Sequence, residues 1–231
     1  MDTKFEQLKE DTNQEEQLET SKRRPKAINP LCHKILIFIV IFTSILSIFL
    51  IYQLYSSCKS PSNFMELAES RFSVRKYLPK AVETEKIEKL LKVVQLSPTA
   101  ENMQPQKVYI ITKEEDRKKL TTVCKYTFNA PMFFLICADK NKAWKHKNEE
   151  FDSAEIDGTI VATHILFEAH ELGLGSTFVR SFETEKLKQL LNIPENMVPV
   201  ALLPIGYPHE DAKPSKWHYQ TKDIKDLVQY L

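Results

Sequence analysis

Hydrophobic and polar positions divide the chain into three regimes. Residues 1 to 30 are mostly Glu, Gln, Lys, Asp and Thr with scattered apolar residues, and end in the basic cluster Lys22, Arg23, Arg24 and Lys26. Such a segment buries too little apolar surface to offset chain entropy, so a disordered, charged tail over 1–34 is expected. From Ile35 to Tyr52 run 18 residues without a charge, dominated by Ile, Phe and Leu and extendable through Leu54 and Tyr55. As a helix this run is about 27 Å long, close to the hydrocarbon thickness of a bilayer, and it is apolar on every face. The pattern predicts a transmembrane helix over 35–55 and a polar linker over 56–62. A cleaved signal peptide fits less well, because the run begins over 30 residues in and exceeds a usual h-region.

The third regime, 63–231, alternates helical and strand periods. Asn63 with Glu66 makes a capping pair for a short helix that turns Phe64, Leu67 and Ala68 inward. Thr84 can cap the next, where Ile87, Leu90, Leu91 and Val94 recur at helical spacing. Short apolar runs at 108–112 and 132–138 read as buried strands. Residues 153–172 are apolar on most faces and predict a central buried helix, followed by strands at 177–179 and 198–205 with a helix at 183–191 between them. Ile224, Leu227, Val228 and Leu231 again have helical spacing. The sum is one sheet with helices on both faces.

Composition narrows the function more by exclusion than by assignment. The 231 residues allow one sizeable domain plus accessory segments, and a net charge of +1 without basic-aromatic interleaving gives no reason to expect nucleic acid. Cys32, Cys58, Cys124 and Cys137 form no CxxC pair, and His164 and His170 are six apart rather than four, so no metal site is expected.

Two boxes carry the candidate chemistry. In RFSVR (71–75), Arg71, Ser73 and Arg75 alternate, so an extended backbone points two guanidiniums and a hydroxyl the same way, a set that suits a phosphate and a polyol. In SPTAENMQP (97–105), Pro98 and Pro105 restrict the backbone around Asn102 and Gln104, whose amides can donate and accept along a heterocycle edge. The chain has only four glycines, and Gly173, Gly175 and Gly206 fall in the two turns GLG and GYP. Gly173 also reads as a helix C-cap.

The order of these boxes, with IDGTIVATHILFEAHELGLGSTFV (156–179) and LLPIGYP (202–208), resembles the FMN-dependent nitroreductase family over roughly residues 62–231. The resemblance implies an α+β fold with a central mixed sheet flanked by helices, and a domain-swapped homodimer with FMN at the subunit interface. Arg71, Phe72, Ser73 and Arg75 then match positions at the phosphate, ribityl chain and pyrimidine edge. Thr99, Asn102 and Gln104 match the box whose amides serve the isoalloxazine from the partner subunit. Leu174, Gly175 and Ser176 match the turn near flavin N5, and Lys213 and Lys216 match the C-terminal cations loosely. Phe72 stands where the family often has a basic residue, and Gln106 where it usually has an aromatic. The implied activity moves electrons from NAD(P)H to small acceptors such as nitroaromatics or quinones by ping-pong hydride transfer, with no catalytic side chain demanded. A flavin-storing or scaffold module at the membrane, and a reductive dehalogenase, are the alternatives. Lys22, Arg23, Arg24, Lys26 and Lys34 precede the apolar run and Lys59 follows it, so the positive-inside rule puts the N-terminus in the cytosol. Supply of reduced nicotinamide argues for a cytosolic domain instead, which leaves the side of the soluble domain open.

Overall fold

A computed structural model describes residues 30–57 and 63–231. The expected tail up to residue 29 and the linker residues 58–62 lie outside the described residues. The chain divides into two compact units, 1–59 and 60–231.

In the first unit one helix, α1 (Pro30–Ser57), takes in the predicted apolar run and extends beyond it, over residues 30–34 of the expected tail and 56–57 of the expected linker. Its stretch Lys34–Gln53, 20 residues, is long and apolar enough to cross a membrane.

The second unit contains α2 (Phe64–Ser70), α3 (Thr84–Leu96), a 3-10 turn (Ala100–Asn102), β1 (Gln106–Ile111), α4 (Glu114–Leu120), β2 (Met132–Asp139), α5 (Ala154–Glu171), β3 (Gly175–Ser176), α6 (Thr184–Leu191) and β4 (Met197–Gly206). Two further 3-10 turns follow, Lys216–Tyr219 and Ile224–Asp226. Asn63 caps α2 as the sequence predicts, its side chain accepting the Glu66 N–H at 3.0 Å. At Thr84 the helix begins, but the residue in the cap position is Glu83, which makes no side-chain capping bond.

The four strands lie in the order β1-β2-β4-β3 and all pair antiparallel. Parallel character enters through a single bridge, Ser73 to Ser176, at the β3 edge. β2 is buried along its whole length, and its alternation sorts two cores. Met132, Phe134 and Ile136 pack with Leu90 of α3 and with Val161, Ile165 and Ala169 of α5. Phe133, Leu135 and Cys137 point the other way, toward Leu120 of α4 and Leu187 of α6. A strand covered on both faces needs this continuous apolar run, and the result is three layers.

Helix α5 lies close to the sheet because of Gly158. A Cβ there would come within 2.6 Å of Val200 Cγ2 on β4. Glycine inside a helix costs about 1 kcal/mol relative to alanine, and here the absent side chain lets helix and strand approach.

Three elements differ from the sequence prediction. The strand expected at 177–179 is β3, at Gly175–Ser176, and only Val179 adds an isolated bridge to Leu202. Helix α4 was not expected. The C-terminal helical spacing yields only the 3-10 turn Ile224–Asp226, with Ile224, Leu227, Val228 and Leu231 exposed, because a short helix with no surface to pack on is marginal in water.

Candidate functional site

The RFSVR box is held by the sheet edge. Val74 donates its N–H to the Ser176 carbonyl at 3.1 Å, while its own carbonyl accepts the Thr177 hydroxyl and the Tyr77 hydroxyl, the latter at 2.8 Å. Leu78 N–H bonds the Tyr207 carbonyl at 2.9 Å, and His209 N–H the Lys76 carbonyl at 3.1 Å. The box therefore runs beside both glycine turns. Gly175 makes this possible: a Cβ there would lie 2.6 to 2.8 Å from three side-chain atoms of Val74. Gly173 serves differently, taking φ +71 just past the end of α5, where the left-handed conformation closes the helix.

Val74 points into the core, so its neighbours are turned the other way. Arg71 is half-buried with its guanidinium 6.0 Å from the Phe167 ring centroid, and burial lowers its pKa. Arg75 is exposed and folds back to donate to the Ser73 carbonyl at 3.1 Å. Neither arginine forms an ion pair with a carboxylate among the described residues, which leaves both charges available to an anion. Phe72 is half-buried 6.4 Å from the His218 ring, and this contact brings the turn carrying Lys216 toward the box. Lys213 is exposed on the preceding segment. The Leu174 side chain is a core residue at 1% exposure, so that position can offer a ligand only backbone. Ser176 is likewise buried and paired with Ile205.

The GYP turn is clamped from α3. Tyr207 donates its hydroxyl to Glu83 Oε2 at 2.5 Å, with Lys80 Nζ 4.0 Å and Lys86 Nζ 4.7 Å from its ring centroid. Lys86 also donates to the Leu172 carbonyl at 2.7 Å, tying the start of α3 to the end of α5.

The amide box lies elsewhere. Glu101, Asn102 and Gln104 have φ of 49, 55 and 51, three left-handed residues within four positions, none of them glycine. Such a conformation costs roughly 1 kcal/mol or more per ordinary L residue, less for Asn, so other contacts must fix it. Gln104 N–H donates to Thr99 Oγ1 at 3.0 Å and Gln104 Nε2 to the Asn102 carbonyl at 3.2 Å. Ala100 N–H donates to Asp157 Oδ1 at 2.9 Å, and Trp144 Nε1 to Glu101 Oε1 at 3.0 Å. Asn102 and Gln104 themselves stand exposed. Gln106 is turned inward instead, its Nε2 donating to the Val94 carbonyl at 3.3 Å, so it ties β1 to α3. Its Oε1 is buried without a partner.

The two boxes thus sit at opposite ends of α5. Asp157, against the amide box, and His170, whose Nε2 is 2.9 Å from Ser70 Oγ beside Arg71, are 13 residues apart on that helix, or about 20 Å. Sequence reasoning found both boxes but missed Asp157 and Trp144. Asp157 is a carboxylate inside an apolar helix pattern, and that irregularity was the signal available.

Guanidiniums and a hydroxyl thus stand at one end of α5, and two exposed carboxamides stand at the other. The nitroreductase family profile matches residues 68–129 and 125–207, more than half of the chain, and the chain belongs to that family. Among its relatives, a protein of Archaeoglobus fulgidus with the provisional name NADH dehydrogenase/NAD(P)H nitroreductase is 31% identical over 156 residues, covering 64% of this chain and 86% of its own. The crystal structure of a nitroreductase family protein from Clostridium difficile 630 superposes with a TM-score of 0.69 at 34% identity, covering 73% of this chain and 98% of that one. An FMN-dependent nitroreductase from Clostridium difficile R20291 superposes with a TM-score of 0.57 at 28% identity, covering 66% and 92%.

Proposed function

We propose that this protein is a membrane-anchored NAD(P)H:acceptor oxidoreductase that holds FMN between two copies of its chain. The observation that carries the reading is the separation of the boxes, about 20 Å along one helix, which keeps the amides away from the arginine end within a single chain. A second copy resolves the conflict by bringing its amide box to the first copy's arginines. Exposed apolar side chains support a paired surface: Phe64, Leu96, Met103, Ile110 and Ile156 are all at least 39% exposed. A cleft of about 560 Å³ between α2, α3 and α5, lined by Phe64, Leu67, Val93 and Phe167, adds further apolar surface.

The donor set fits FMN. Arg71, Ser73 and Arg75 would hold the phosphate, ribityl chain and pyrimidine edge with Lys213 and Lys216 adding charge, and Thr99, Asn102 and Gln104 would meet the ring from the partner copy. Phe72 would pack beside the phosphate end, and the Leu174–Gly175–Ser176 backbone would approach flavin N5. When bound, FMN would supply the hydride-transfer chemistry between a reduced nicotinamide and a second substrate. The chain's own side chains need only bind, orient and set the electrostatics, and Arg75 is placed to favour negative charge on the pyrimidine side. Nitroaromatics and quinones are acceptors of suitable shape. The apolar stretch of α1 supplies a single-pass anchor, with the N-terminus in the cytosol by charge asymmetry.

The test is an absorption spectrum of the full-length protein in detergent, before and after NADH or NADPH without oxygen. Flavin bands that bleach support the reductase. Bands that persist indicate storage or another electron donor, and a colourless protein that takes up no FMN refutes the flavin reading.

A further inference from the structure

We propose that Asp157 is a positioning residue for the amide box, acting with Trp144, and so governs flavin affinity without touching the flavin. The inference rests on the FMN reading above. Asp157 is 1% exposed in the first turn of α5 and forms no ion pair among the described residues. Both of its oxygens are used, and both neighbours are donors: Ala100 N–H at 2.9 Å to Oδ1 and the Ser153 hydroxyl at 2.6 Å to Oδ2. Ser153 Oγ in turn accepts the Trp144 N–H at 3.1 Å, and the Trp144 ring nitrogen donates to Glu101 at 3.0 Å. The hydrogen bonds close a circuit through 100–101, 144, 153 and 157. The left-handed Glu101 is a member of it, and the left-handed Asn102 and Gln104 follow directly.

A carboxylate suits this place for two reasons. It is acceptor-only, which matches two donors, whereas an amide would present NH₂ to one of them. It also lies at the positive end of an 18-residue helix, where negative charge is favoured. The amides have bonds of their own, Gln104 N–H to Thr99 Oγ1 and Gln104 Nε2 to the Asn102 carbonyl, but these stay within the box and do not tie it to α5. Holding Ala100 and Glu101 therefore aims Asn102 and Gln104.

The segment from 139 to 153 has a matching role. Lys145 bridges to Asp152, His146 N–H bonds the Phe151 carbonyl at 3.0 Å, and the Trp144 ring packs against His146 and Phe151. This small folded hairpin gives Trp144 a fixed platform beside the amide box.

The experiment measures FMN dissociation constants of the full-length protein, with amide hydrogen exchange on the flavin-free form. Asp157→Ala, which removes two hydrogen bonds, is expected to weaken FMN about tenfold, and Trp144→Phe, which removes one from a half-buried side chain, about threefold. Asp157→Asn, which keeps one acceptor for Ala100, is expected to recover part of the affinity. In an Asn102→Ala/Gln104→Ala background the same changes should move affinity by less than about twofold, because coupled residues are not additive. Equal losses in both backgrounds would mean general damage and overturn the proposal. So would an Asp157→Ala chain that fails to fold alongside a Trp144→Phe chain with unchanged affinity. Slow exchange of the Ala100 amide that becomes fast in Trp144→Phe supports positioning even if the wild type takes up no FMN, a result that would sink the flavin reading alone; unchanged exchange overturns this one.

Discussion

Gly175→Ala tests how tightly the arginine box depends on its neighbouring turn. The added Cβ would lie 2.6, 2.7 and 2.8 Å from Cγ2, Cβ and Cγ1 of Val74. Carbon atoms settle at about 3.5–4.0 Å, so relief requires a movement of roughly 1 Å. Val74 cannot yield easily, being 2% exposed with its N–H bonded to Ser176 and its carbonyl to Thr177 and Tyr77. Overpacking costs about 1–3 kcal/mol, and three simultaneous contacts against a fixed neighbour place this change in the upper half of that range. Val74→Ala alone removes two methyl groups and costs about 2 kcal/mol. Combined with Gly175→Ala it leaves the Cβ to Cβ contact of 2.7 Å in place, so the coupling should reach only about 1 kcal/mol. Val74→Gly removes all three contacts and should couple at about 2 kcal/mol. Urea unfolding of the three single and two double variants reads these values, and in a thermal melt each kcal/mol is about 2–4 °C for a domain of this size. A Gly175→Ala protein within about 0.5 kcal/mol of wild type, or additive cycles with both partners, would refute the reasoning.

Arg71→Ala and Arg75→Ala should each weaken FMN about tenfold while leaving the melting temperature nearly unchanged, since neither forms an ion pair among the described residues; unchanged affinity in both would remove the phosphate assignment. The Glu83 carboxyl is held down to about 2, first by the Tyr207 hydroxyl, then by its own backbone N–H and Lys80. Because this lies below an unfolded value of about 4.3, its stabilisation is whole above that value and fades as pH falls toward 2. Wild type should therefore melt above Glu83→Gln at pH 7, with the gap closing in acid; a gap of the same size at pH 3 contradicts the clamp. Burial pushes the Cys137 thiol up to about 12 and raises that of Cys124. In a Cys32→Ser/Cys58→Ser chain both should resist a thiol reagent at pH 8 until denaturant is added, and prompt labelling of the folded protein would show that the core opens readily.

The elements legible in the sequence were those whose apolar residues decide their place. Ala154–Glu171 and Met132–Asp139 lie within a residue or two of expectation, because burial on several faces writes a continuous signal. Glu114–Leu120 has one buried residue, Leu120, so periodicity says nothing there. Its signal is electrostatic instead, Glu114, Glu115 and Asp116 in the first turn and Arg117, Lys118 and Lys119 in the last, complementing the helix dipole. At 224–231 the reverse holds: the spacing is present but the packing partner is not. Both boxes of the site could be read from residue type and order. Asp157 could not be assigned, since its partner is a backbone N–H 57 positions away and local spacing carries no such information.

The placement of the two boxes at opposite ends of one helix has a genetic consequence. In the proposed dimer each site draws its arginines from one chain and its amides from the other. A mixed dimer of an Arg71-defective chain and an Asn102-defective chain would carry both lesions in one site and none in its twin. Two inactive alleles expressed together should therefore restore up to half of the sites in every mixed dimer, whereas two alleles defective in the same box should restore none.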